Sequence, residues 1–131
     1  MSHRRIYLAA FVLVVSDSHA YEQELAVNNL AHDFAQCAAY YTLGSKGAGK
    51  RDPDLAVKMN EAANVALELS TGLTSKKVAA ARYNMSLKSM MDDMGDSFNN
   101  FSIVINQYAD LCKELMDDPK TRLQYWLDRK D

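Results

Sequence analysis

The chain has 131 residues, enough for one domain, with 24% charged residues and a formal net charge of −2. That balance supplies no basic face, so no nucleic-acid partner is expected. Two prolines among 131 residues, with frequent Ala, Leu, Met, Lys and Glu, fit an all-helical chain.

In chain order, the first segment reads as a processing signal. Arg4 and Arg5 precede a ten-residue apolar run over 6–15, and Ser18-His19-Ala20 places small residues where a signal peptidase cuts. The run is shorter than the roughly 20 apolar residues a membrane span needs. Cleavage before Tyr21 is expected. Residues 1–20 are then a signal peptide, and the membrane is met only transiently through it. Residues 21–131 form an exported helical domain, periplasmic or extracellular. In such an oxidising compartment the two cysteines, Cys37 and Cys112, are most simply a disulfide.

The first mature helix is expected over 22–43. Val27, Leu30, Phe34, Cys37 and Tyr41 step by three and four, alanines offer surfaces for close approach, and Gly44 supplies a stop. The glycine-rich stretch 44–52 reads as a linker. Its Gly-Lys at 49–50 has phosphate-loop spacing, but Arg51 stands where a hydroxyl is needed and the preceding element is helical.

A second helix over 53–70 opens with Asp52 as N-cap and Pro53 in the first turn, with Leu55, Met59, Ala62, Ala66 and Leu69 as its stripe. The segment 74–116 carries the longest apolar periodicity and reads as the organising element. Gly95-Asp96-Ser97 divides it into helices over 75–94 and 97–116. A short helix over 119–129 follows Asp118-Pro119. The fold class is therefore all-α, a four-helix-bundle-like single domain stapled by one disulfide. If the first helix ends at Leu43, the cysteines sit about 15 Å apart in height in an up-down-up-down order. A parallel first helix pair, with a long linker running back along the bundle, would bring them level.

No catalytic constellation is visible, so the chain is not expected to be an enzyme and no cofactor is expected. Only one histidine, His32, lies beyond the leader. There is no Gly-x-Ser-x-Gly, no Cys-x-x-Cys and no Glu-x-x-His. Asp92, Asp93 and Asp96 lack EF-hand spacing. Met90, Met91 and Met94, with Tyr40, Tyr41 and Trp126, are candidate partner-binding residues, because methionine suits adaptable surfaces and Tyr and Trp are favoured anchors. The leading expectation is a protein-binding module: an inhibitor, chaperone or accessory subunit. The alternative is a small-ligand or copper carrier, with His32 and soft Met thioethers as ligands.

Overall fold

A computed structural model describes residues 2–129, with side chains from residue 19 onward. It contains five α-helices and no strand among the described residues: α1 Ser2–Ala48, α2 Pro53–Leu73, α3 Lys76–Asp93, α4 Phe101–Asp117 and α5 Pro119–Asp128. A 3-10 turn, Phe98–Asn100, leads into α4.

The starts follow from local chemistry. Asp52, Ser75 and Asp118 each accept a backbone N–H from three residues ahead, and Pro53 and Pro119 occupy first turns where no donor is needed. The break at Gly95 is a Schellman closure. Gly95 N–H donates to the Asp92 carbonyl and Asp96 N–H to the Met91 carbonyl, with Gly95 at φ +60°.

The organising element is α1, which packs against α2, α3, α4 and α5. That role was expected of 74–116. Those helices instead form a collar, and α1 is buried on nearly every side from Ala31 to Gly44. Its small residues explain why: Ala31, Ala35, Ala38 and Ala39 are fully buried, so neighbouring backbones approach closely. Phe34, Cys37, Tyr40 and Leu43 fill the remaining space with Met90, Met94, Val104, Cys112 and Leu115.

α1 also runs past its expected end at Leu43. Gly44 serves packing: a Cβ there would lie 2.5 Å from Met59 Sδ, whereas one on Gly47 would meet Phe98 only at an ordinary 3.5 Å. The turn is made at Gly49, with φ +46° and its N–H on the Ser45 carbonyl. At the other end the helix begins at Ser2 and passes through the Ala20–Tyr21 junction. The side chains of the expected leader up to residue 18 lie outside the described residues. Among described side chains the first buried one is Ala26.

The expected parallel pairing of the first two helices is not what forms. Ser45 Oγ donates to the Ala56 carbonyl and Ser70 Oγ to the Ala31 carbonyl, both at 2.7 Å, so α1 and α2 are antiparallel. The loop 49–52 is four residues, about 13 Å at full stretch, too short to run back along a 30 Å helix. The longer α1 removes the height mismatch instead. Cys37 lies eleven residues before Ala48, and Cys112 eleven residues after Phe101. Phe98 and Phe101, at the start of α4, lie beside Gly44 and Gly47 near the end of α1, so the two helix ends are level. The cysteines thus meet at equal depth in a disulfide, with Cα atoms 5.4 Å apart.

Candidate functional site

Three features could carry function: an aromatic cluster, a polar node under α5, and an outward-facing stripe on α2.

The aromatic cluster caps the end of α1. Tyr40 stacks on Phe101 at 6.1 Å, tilts against Tyr41 at 5.3 Å and meets Tyr108 at 6.4 Å. Burial raises the pKa of all three tyrosines, so the neutral phenol is favoured there. Tyr40 itself is buried. The cluster is therefore core.

The node is built on Asp33, the only buried carboxylate among the described residues. Its Oδ2 accepts from Arg122 Nε and from Trp126 Nε1, each at 2.7 Å. Arg122 also lies over the rings of Tyr125 and Trp126, at 4.2 and 4.9 Å. Arg122 and Trp126 are one helical turn apart, so a single carboxylate holds α5 against α1. α5 has no fully buried residue. The donors satisfy Asp33, and no buried side-chain N or O among the described residues lacks a partner.

The sequence-expected binding residues do not form one surface. Met90 and Met94 are fully buried core, Tyr40 is buried, and only Met91, Tyr41 and Trp126 are half-exposed. For Met90, Met94 and Tyr40 this corrects the surface role expected of them: their inward spacing made them core. His32 does not join the methionines. It is exposed and lies near Arg82 and Asp33; desolvation and then the Arg82 charge lower its pKa, against the opposing pull of Asp33. Met85 is 72% exposed, and Met59 sits under Gly44. No cluster of three His, Cys, Asp or Glu side chains suited to a metal occurs among the described residues.

The stripe on α2 was hidden within the sequence reading. One apolar face was expected there; the structure divides it in two. Met59, Ala63, Ala66 and Ser70 turn inward, because the alanine face of α1 accepts small side chains best. Leu55, Val65, Leu69 and Leu73 remain 43, 46, 41 and 38% exposed, with half-buried Ala62 among them. Their spacing places them along one side of the helix. Leu73 opens onto an outward groove of about 680 Å³ that it shares with Tyr21, Leu25 and Asn28. The signal was available in the sequence as the seven-residue repeat Leu55, Ala62, Leu69.

No helix among the described residues is long and apolar enough to cross a membrane. Comparison with protein-family models, with curated proteins and with solved structures finds no match.

Proposed function

We infer that this chain is an exported, non-catalytic helical module that binds another protein, as an inhibitor, chaperone or accessory subunit does. In this reading residues 1–20 are removed as a signal peptide. α1–α4 then form the bundle and α5 straps it. The observation that carries the binding role is the α2 stripe: Val65, Leu69 and Leu73, one turn apart and each more than a third exposed, with Leu55 beyond Lys58. Scattered surface apolar residues are ordinary, whereas a contiguous row marks an interaction surface. Export is supported by the buried Cys37–Cys112 disulfide, which persists in oxidising compartments.

Two measurements test this reading. An intact mass of the protein from its producing cell should begin at Tyr21 and be blind to thiol reagents until reduced. A mass retaining Met1 with two labelled thiols would overturn export. For binding, a photo-crosslinking residue placed at Leu69 should give one discrete protein adduct in the cell, and the same residue at exposed Asn64 should not. Equal labelling from both positions, or none, would overturn the binding role.

A further inference from the structure

The α2 stripe has an edge of defined charge. Asp54, Glu61 and Glu68 are all exposed and recur every seven residues, each directly before a stripe residue. Glu61 lies four positions before Val65 and Glu68 three after it, so both carboxylates flank Val65 on the helix surface. Lys58 is the only cation on α2, and Lys76 of α3 lines the same outward groove as Glu68, so the row is most acidic around Asp54 and Glu61. We propose that the stripe is the seat of an amphipathic helix from a partner protein, with an aliphatic face against Leu55, Val65, Leu69 and Leu73 and a Lys/Arg edge against Asp54, Glu61 and Glu68. The proposal rests on the protein-binding reading above and adds the partner's chemistry to it.

The charge row disfavours two other occupants, an antiparallel second copy and an anionic lipid surface. A second copy of the chain, laid antiparallel about a twofold axis, would set one acidic row against the other, and like charges so placed are repulsive. An anionic lipid surface is repelled by the same carboxylates. A helix with the opposite charge at its edge gains on both counts: it buries its apolar face in the mode of helix-in-groove recognition and is steered by the acidic row. Lys58 interrupts the stripe between Leu55 and Ala62, so the half from Ala62 to Leu73 carries most of the contact.

The test uses the full chain in its oxidised form and two fluorescent helical peptides, identical in their leucine face, one edged with lysines and one with glutamates. Anisotropy titration should show the lysine-edged peptide binding about tenfold more tightly or better, with affinity falling as salt rises. Glu61→Lys with Glu68→Lys should reverse that preference, and Leu69→Asp should abolish binding of both peptides while the circular dichroism stays helical. The reversal keeps the proposal falsifiable should Leu69→Asp fail to fold. Equal binding of the two peptides would overturn the charge-matched partner and leave the protein-binding reading standing. No binding of either peptide, with the photo-adduct at Leu69 also absent, would remove both. Concentration-dependent dimerisation lost on Leu69→Asp, or co-sedimentation with phosphatidylglycerol vesicles, would assign the stripe to another occupant and overturn the proposal.

Discussion

Asp33 is the residue on which the last helix depends. Its carboxylate is 4% exposed and is the common acceptor for Arg122 Nε and Trp126 Nε1, whereas Arg122 is 22% exposed and stays in reach of water. Replacing Asp33 by Ala therefore leaves two donors, the half-buried Trp126 indole N–H and the Arg122 guanidinium, without their common acceptor. The cost is about 2–3 kcal/mol, below that of breaking a fully buried pair, because solvent screens Arg122. In a domain of this size that lowers Tm by roughly 10 °C. The chain has one tryptophan, so Trp126 fluorescence reads the node directly. Asp33→Ala should red-shift that emission under conditions where the far-ultraviolet circular dichroism is still native. An unshifted emission would mean that packing alone holds α5 in place. The partners of this node could not be read from the sequence, because the spacing of Asp33 and Trp126 along the chain says nothing about their meeting. Only the position of Asp33 inside an otherwise apolar helix face marked it.

The elements differ in how their glycines are used, and that difference predicts substitutions of opposite sign. Gly95 has φ +60° and open space where a Cβ would stand. Gly95→Ala therefore meets no clash and is penalised only for its left-handed backbone, about 1 kcal/mol. Gly72 also has open space around a Cβ but lies in the last turn of α2 with no positive φ. Gly72→Ala should stabilise by about 0.5–1 kcal/mol, since alanine loses less entropy in a helix. Urea midpoints of the two variants should move in opposite directions; a shift of the same sign would show that φ is not what separates them. The same distinction explains which helix boundaries were legible. Asp52-Pro53 and Asp118-Pro119 spell their starts through a cap and a ring that fixes φ, and Gly95 spells its stop. Gly44 looks identical to Gly95 in sequence. Only the arrival of Met59 from α2 shows that its missing side chain serves packing. The α2 stripe was misread for a similar reason. Periodicity identifies an apolar arc, but the width of that arc spans two faces, and the alanines of α1 decide which one turns inward.

At the scale of the whole molecule, the disulfide joins the central helix to α4, closing 75 residues. That bond was readable from an even cysteine count and the expectation of export, but its geometry was not, because the helix ends that level the two cysteines are set by contacts between α1 and α4. A loop of this length contributes about 4.5 kcal/mol through the entropy of the unfolded chain, a large share of the net stability of a small domain. Both cysteines have no solvent exposure, so a reductant reaches them only when the collar opens, and at a fixed thiol concentration the rate of reduction should rise as added urea lowers stability. The reduced protein, compared with the oxidised one in urea, should lose about 4–5 kcal/mol and show a larger m-value, because its unfolded chain is no longer cross-linked and exposes more surface. A loss below about 1 kcal/mol would place the ordering of α1 against α4 in the denatured ensemble already. The alanine face of α1, rather than the bond, would then be what makes this chain fold.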